Sequence, residues 1–120
     1  QRTFSKALYP GYWDVAAGGM VLATESYAES AARELAEELG IADVALREHG
    51  RFYFEQPDNR LWCGVFSAVS DAPLQLQAEE VLQARFVSIK VALADAAVQP
   101  YCPDSLVALK RYLALHNQAR

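Results

Sequence analysis

The sequence predicts an α+β fold, because two stretches typical of amphipathic helices flank a stretch typical of a β-hairpin. The first helix covers residues 27–39, the hairpin residues 51–69 and the last helix residues 104–116. At 120 residues the chain is long enough for one hydrophobic core and too short for two. We therefore expect a single domain over residues 1–120.

The first helix carries its own start and stop signals. Ser26 followed by Glu29 is a capping box, in which each side chain accepts a hydrogen bond from a free backbone N–H, so the helix begins at Tyr27. Gly40 is a favourable left-handed residue for the C-terminal cap. Between these limits one apolar stripe repeats every three or four positions, formed by Ala28, Ala31, Ala32, Leu35 and Leu39.

The face opposite this stripe is crowded with negative charge. Glu34, Glu37 and Glu38 fall within an arc of about 100° on a helical projection. Like charges at this spacing destabilise a helix by roughly 0.2–0.5 kcal/mol per pair, so a compensating interaction is expected. A divalent cation would supply it, since Mg²⁺ binds carboxylate oxygens readily. The alternative is a solvated acidic face, which charge runs commonly form.

Turn residues divide the rest of the chain into short elements. Residues 57–60 predict a turn, with strands at residues 51–55 and 61–69 on either side. A helix capped by Ser88 is expected, and a last helix at Asp104–His116 with a buried stripe that includes Leu106, Leu109 and Leu113. Four further short strands are expected at residues 13–17, 20–23, 74–76 and 85–87.

Composition and charge exclude several function classes. With 11 basic and 15 acidic residues the formal net charge is −4, which gives no electrostatic footprint for duplex nucleic acid or an anionic membrane. No apolar run approaches the roughly 20 residues of a membrane span. Cys63 and Cys102 lack a metal-type spacing, and the sequence shows no signal-peptide pattern. We therefore expect reduced thiols and a cytoplasmic location.

A longer spacing pattern runs from Gly19 to Ile41. Gly19 is followed after five residues by Glu25, and after seven more by the run RELAEELGI that starts at Arg33. These residues match every fixed position of the Nudix box, G-x5-E-x7-R-E-U-x-E-E-x-G-U with U aliphatic, so the chain resembles the Nudix hydrolases. The resemblance implies the Nudix fold, a mixed β-sheet sandwiched between α-helices. Because that fold normally has one or two strands ahead of residue 1, we expect the sheet to be incomplete at this edge.

The same resemblance implies the chemistry. The expected reaction is attack of water on the phosphorus of a small-molecule diphosphate, either a nucleoside diphosphate linked to another moiety or a related organic diphosphate. Arg33 is expected to orient Glu37 and to pair with Glu25, without touching the substrate. Which glutamate takes the proton from water stays open. The expected ligands of Mg²⁺ or Mn²⁺ are the side chains of Glu34, Glu37 and Glu38 and the carbonyl of Gly18.

Residues ahead of the box resemble one branch of this superfamily. Arg2 and Lys6 precede the segment PGYWD at residues 10–14, an arrangement similar to the isopentenyl-diphosphate isomerases, in which the matching Arg and Lys bind the substrate diphosphate. We carry that role over to Arg2 and Lys6; the alternative is two surface cations on a loop. Gly18 and Met20 stand where that branch requires a cysteine and a histidine. The chain thus resembles the bacterial isomerase-like Nudix hydrolases, and isomerase activity is not expected.

Three points stay open in the sequence. The alternative function is a non-catalytic module that binds a diphosphate or a nucleotide, although such modules usually lose box carboxylates and none is lost here. Glu79 or Glu80 is a candidate for a further metal ligand or base from a loop; the alternative is a solvated loop. A homodimer is also an open expectation, because Nudix domains commonly dimerise.

Overall fold

Five regular elements lie within residues 1–118, the part of the chain that the computed structural model describes. In chain order they are α1 (Tyr27–Leu39), β1 (Arg47–Gln56), β2 (Asn59–Ser67), α2 (Ile89–Ala96) and α3 (Pro103–Gln118). The α+β class predicted from the sequence is confirmed. None of the described helices is both long enough and apolar enough to cross a membrane.

Helix α1 has the limits that its capping residues predict. The Ser26 hydroxyl accepts a hydrogen bond from the Glu29 N–H (3.1 Å), and the Glu29 carboxylate accepts one from the Ser26 N–H (3.0 Å). Gly40 follows the helix with φ 70°, and its N–H donates to the Ala36 carbonyl (3.0 Å). A side chain on residue 40 would also press against Gln75, so both backbone conformation and space favour glycine there.

Strands β1 and β2 form an antiparallel hairpin closed by a turn at residues 57–58. Phe52 and Phe54 are buried while their neighbours along β1 are exposed, which is the alternation expected of a half-buried strand. The hairpin predicted for residues 51–69 is therefore confirmed, although β1 begins earlier, at Arg47.

The short strands expected outside the hairpin do not form as regular strands in the described chain. Two isolated bridges lie outside the hairpin: Trp13, in one of the expected strands, pairs with Tyr101 in parallel, and Arg2 pairs with Val81 in antiparallel. A β-rich segment becomes a strand only where a neighbouring backbone continues the ladder, and here single residues meet such a neighbour. The regular sheet therefore has two antiparallel strands, and pairing of mixed direction is limited to the bridges. The prediction was wrong for residues 13–17, 20–23, 74–76 and 85–87.

The irregular first segment is fixed to the start of α3. The Trp13 N–H donates to the Pro100 carbonyl (2.9 Å), and the Cys102 N–H donates to the Trp13 carbonyl (2.8 Å). Cys102 is 1% exposed, and burial strongly raises the pKa of its thiol. Pro103 opens α3 at the first helical position, where its missing N–H removes no helical bond.

The core lies between the hairpin and helices α1 and α3. Two arginines cover aromatic rings at its border: the Arg51 guanidinium is 3.9 Å from the centroid of Tyr27, and that of Arg111 is 4.9 Å from the centroid of Phe52. Helix α2 begins after Ser88, as predicted, and the Ser88 side chain accepts a hydrogen bond from the backbone N–H three residues on. The buried apolar side chains among the described residues are Ile41, Phe52, Phe54 and Cys102.

Replacing the N-cap serine should weaken the fold measurably. Ser26→Ala removes the acceptor for the Glu29 N–H, so we expect the free energy of unfolding to fall by about 1 kcal/mol. Urea denaturation followed by circular dichroism measures this change. Thr24→Ala is the matched control, because the Thr24 side chain makes no hydrogen bond within residues 1–118. Equal stability of the two variants would contradict the capping role.

Candidate functional site

The loop before α1 folds back onto the first turns of the helix. The Leu22 N–H donates to the Glu25 carboxylate (2.9 Å), and the Arg33 guanidinium donates to the Met20 carbonyl (3.1 Å). Ser30 is buried, with its hydroxyl 3.5 Å from the same carbonyl. The backbone around Met20 is thereby held against the helix face that carries the glutamates.

Arg33 is the hub of this acidic face, which we call the ridge (Glu34, Glu37 and Glu38). Its Nε lies 2.7 Å from Glu25, and its Nη1 lies 2.7 Å from Glu34 and 3.2 Å from Glu37. Because a guanidinium carries five N–H donors in one plane, a single cation fixes three carboxylates. The hydrogen bond with Glu25 lowers the pKa of that carboxyl and raises the pKa of Arg33. The contacts with Glu25 and Glu37 match the sequence interpretation; their part in catalysis stays a prediction.

Two consecutive glycines bring the backbone to the ridge. A Cβ atom on Gly19 would collide with the Glu34 carboxylate, so only glycine permits this close approach. Gly18 has open space at the Cβ position, and its N–H donates to the Glu38 carboxylate (3.1 Å). The observed contact of Gly18 is thus made by its N–H, whereas its carbonyl is the predicted metal ligand.

Glu38 differs from the other ridge glutamates because it forms no ion pair within residues 1–118. Partial burial raises the pKa of its carboxyl to about 7. The negative charges of Glu34 and Asp14 act in the same direction, and the hydrogen bond from Gly18 opposes them. A positive charge placed beside Glu38 would therefore be stabilised by two neighbouring carboxylates.

The ridge offers part of a cation site. Within residues 1–118, no three acidic, histidine or cysteine side chains converge as metal ligands. Glu34 and Glu37 both contact Arg33, and the negative charge of Glu34 also acts on Glu38. Mg²⁺ commonly uses one or two protein carboxylates, with water and substrate phosphates completing its shell. The donors at Glu34 and Glu38 therefore fit a divalent cation that is bound together with a phosphate.

A cavity of 260 Å³ lies beside the ridge. Its walls include Arg2 and Lys6, the two cations that the sequence interpretation assigned to the diphosphate, together with Glu38. The Arg33 hub is not part of the cavity lining. The structure thus brings the predicted phosphate-binding cations to one ridge glutamate and leaves the hub on the adjoining surface.

Another wall of the cavity is aromatic. Trp13 and Tyr101 stack with their ring planes at 22° and their centroids 6.5 Å apart. The Arg85 guanidinium lies 5.8 Å from the Trp13 ring, and Phe86, which is 73% exposed, also lines the cavity. A lining that combines charged and aromatic side chains suits a ligand that has an anionic part and an uncharged part.

Both cations assigned to the diphosphate have carboxylate partners. Arg2 lies 3.5 Å from Asp14, and Lys6 forms an ion pair with Glu80. Of the two loop glutamates left open by the sequence, Glu80 lines the cavity and Glu79 does not. Asp14 was missed by sequence reasoning as a site residue; its only signal is its place at the end of the PGYWD segment.

Fold and site together define a class of protein before any comparison is made. A capped helix presents carboxylates fixed by one arginine, next to a cavity that carries cations. This arrangement suits an anionic ligand, with or without a divalent cation bound beside it.

Comparison with known proteins gives the family. The NUDIX domain profile matches residues 1–104. A protein of Pseudomonas aeruginosa, uncharacterized Nudix hydrolase PA4841, is 70% identical over 113 residues, which cover 94% of this chain and 67% of that protein. The chain therefore belongs to the NUDIX domain family.

Two further relatives agree with this assignment. The uncharacterized Nudix hydrolase YfcD of Escherichia coli K12 is 43% identical over 113 residues, covering 94% of this chain and 62% of that protein. The crystal structure of DR0079 from Deinococcus radiodurans superposes with a TM-score of 0.78 at 26% identity, over 92% of this chain and 70% of that one. The chain spans about two thirds of the length of the curated relatives it matches.

Removing the arginine hub should destabilise the fold more than removing an exposed ion pair. Arg33→Ala leaves the carboxylates of Glu25 and Glu34 close together without their shared cation, so the thermal unfolding midpoint should fall. Arg33→Lys should recover only part of the lost stability, because lysine keeps the positive charge but its ammonium group cannot reproduce the planar guanidinium.

Scanning calorimetry at low and high salt measures both midpoints. Arg60→Ala is the control, since the Arg60 and Glu55 side chains are 65% and 59% exposed and 3.7 Å apart. A midpoint for Arg33→Ala no lower than that of Arg60→Ala would show that the hub does not hold the site together.

Proposed function

We propose that the protein is a metal-dependent Nudix pyrophosphohydrolase, which cleaves a nucleoside diphosphate linked to another moiety or a related organic diphosphate. The observation that carries the proposal is the cavity in which Arg2 and Lys6 face Glu38, directly beside the carboxylate ridge. A diphosphate is a polyanion, and its cleavage requires that this charge be neutralised so that water can reach phosphorus. The family assignment supports the same reaction class.

The proposed cofactor is Mg²⁺ or Mn²⁺, held at Glu34 and Glu38, with Glu37 and the Gly18 carbonyl as the other ligands suggested by the family pattern. When bound, the cation supplies charge neutralisation and lowers the pKa of coordinated water. The family pattern and the donors described above support this cofactor; neither specifies which metal is used.

The chain's own residues would divide the remaining work. Arg2 and Lys6 bind the phosphate oxygens and fix the diphosphate in the cavity. Arg33 holds Glu34 and Glu37 in place through Nη1, which keeps the ridge aligned with the substrate. The proton of the attacking water passes to a carboxylate, either on the ridge or at Glu80 on the opposite wall.

The aromatic wall suits the organic part of the substrate. An isomerase is not proposed, because glycine and methionine at positions 18 and 20 supply neither a thiol nor an imidazole. A cytoplasmic location and a homodimer belong to the same proposal. They follow from the sequence interpretation and stay predictions.

Loss of one ridge carboxylate should abolish turnover without unfolding the protein. Glu38→Gln keeps the shape of the side chain and removes its charge, so we expect kcat to fall by at least about a hundredfold. The assay combines Mg²⁺ with nucleoside diphosphates, nucleotide sugars, dinucleotides and coenzyme A, and follows product release by chromatography. Glu55→Gln, on the exposed side of the hairpin, is the matched control and should retain full activity.

Equal turnover by Glu38→Gln and the parent protein would refute the proposal. Tight binding of a diphosphate in the absence of metal, combined with no hydrolysis across the panel, would instead support the non-catalytic binding module.

A methyl group on Gly19 should weaken metal binding through Glu34. The added Cβ of Gly19→Ala would displace the Glu34 carboxylate, whose flexible side chain can move without disturbing the core. We expect weaker Mn²⁺ binding by electron paramagnetic resonance and an almost unchanged unfolding midpoint. In a Glu34→Ala background the same change should have no further effect on Mn²⁺ binding. An additional loss in that background would show that Gly19 acts by another route.

A further inference from the structure

The Lys6–Glu80 ion pair lies in the cavity where the proposed substrate binds. The two side chains are 25% and 36% exposed, so water reaches both of them. A phosphate group that approached Lys6 would meet a carboxylate already in contact with the same ammonium group. Because the phosphate and Glu80 repel each other at the shared ammonium group, binding of the phosphate weakens or displaces the contact between Lys6 and Glu80.

The cavity is balanced in formal charge. Three cations and three carboxylates line it: Arg2, Lys6 and Arg85, with Asp14, Glu38 and Glu80. With Glu38 ionised, the lining side chains sum to zero formal charge and give a polyanion little net attraction. Attraction would appear once one carboxylate left its cation or was itself neutralised.

Glu80 is the carboxylate best able to leave. Asp14 has a short side chain with few rotamers and lies 3.5 Å from Arg2. Glu38 is partly buried and accepts a hydrogen bond from the Gly18 N–H. Glu80 has a longer side chain with more rotamers open to it, and Lys6 is its one ion-pair partner within residues 1–118.

The backbone around Glu80 is fixed at both ends, so the side chain alone has to move. Val81 forms a β-bridge with Arg2, and the Leu82 N–H donates to the Gln1 carbonyl (2.8 Å). On the other side the Gln77 N–H donates to the carbonyl of Glu38 (3.1 Å). A rotamer change at an exposed side chain takes picoseconds to nanoseconds and needs no loop opening.

We infer that Glu80 is an internal counter-ion that covers Lys6 and is exchanged for a phosphate group when a diphosphate binds. Glu80 then lowers the affinity of the cavity for diphosphates, because the phosphate competes with its contact with Lys6. The inference rests on the proposed function for the class of ligand. Its geometry rests on the ion pair and the charges of the cavity.

Titration with inorganic pyrophosphate tests this role directly. Isothermal titration calorimetry in buffer with a chelator compares the parent protein, Glu80→Gln and Glu79→Gln. Both substitutions remove one negative charge from neighbouring positions, so the net charge of the protein is matched, whereas the contact with Lys6 and the charge of the cavity lining change only in Glu80→Gln. We expect Glu80→Gln to bind pyrophosphate roughly threefold to tenfold more tightly, the range for a partly exposed ion pair, and Glu79→Gln to stay within about twofold of the parent.

A double-mutant cycle establishes that the effect passes through Lys6. Lys6→Gln should weaken binding, and Lys6→Gln combined with Glu80→Gln should bind no more tightly than Lys6→Gln alone. Unchanged or weaker binding by Glu80→Gln would overturn the inference, as would equal gains in both glutamate variants or no pyrophosphate binding by any of the proteins. Unfolding midpoints confirm that each variant is folded.

The proposed function is judged separately, from Mg²⁺-dependent hydrolysis of organic diphosphates by the parent protein. Hydrolysis by the parent protein together with unchanged pyrophosphate affinity in Glu80→Gln would refute the counter-ion role of Glu80 and leave the proposed enzyme activity standing. Tighter pyrophosphate binding by Glu80→Gln without hydrolysis by the parent would support the counter-ion and refute the enzyme.

Discussion

The acidic ridge depends on one guanidinium group. Four glutamates that belong to one short stretch of sequence would repel each other if they were left alone, and Arg33 contacts three of them. Its rigid plane also reaches the Met20 carbonyl, which ties the preceding loop to the helix. One side chain therefore both neutralises the glutamates and holds the preceding loop. The same loop carries Gly18 and Gly19, so Arg33 also helps to position these glycines beside the ridge.

Elements set by neighbouring residues were predicted well from the sequence. The limits of α1 follow from Ser26, Glu29 and Gly40, whose hydrogen bonds span only a few positions, and the hairpin follows from one turn between two β-rich runs. The prediction of the short strands was wrong because strand formation depends on a partner that is distant in the sequence. Trp13 has one at Tyr101, but its neighbours do not continue the ladder.

The candidate site divides in the same way. The identity of the ridge residues could be predicted, since their spacing on one helix fixes their common face. The partners of the cavity cations could not, because Lys6 meets Glu80 only after the chain has folded across 73 intervening positions. Likewise, no local pattern indicates that Asp14 accompanies Arg2, or that Glu80 rather than Glu79 faces the cavity.

The hydrogen-bonded contact between Trp13 and the start of α3, which we call the seam, contains a cysteine whose reactivity would report on movement of the cavity wall. Cys102 is buried at that seam, and burial keeps its sulfur in the thiol form, which alkylating reagents attack slowly. Alkylation of this thiol would require the backbone hydrogen bonds between Trp13 and residues 100–102 to break transiently. Because Trp13 and Tyr101 also line the cavity, the labelling rate of one thiol would follow local opening of the aromatic wall.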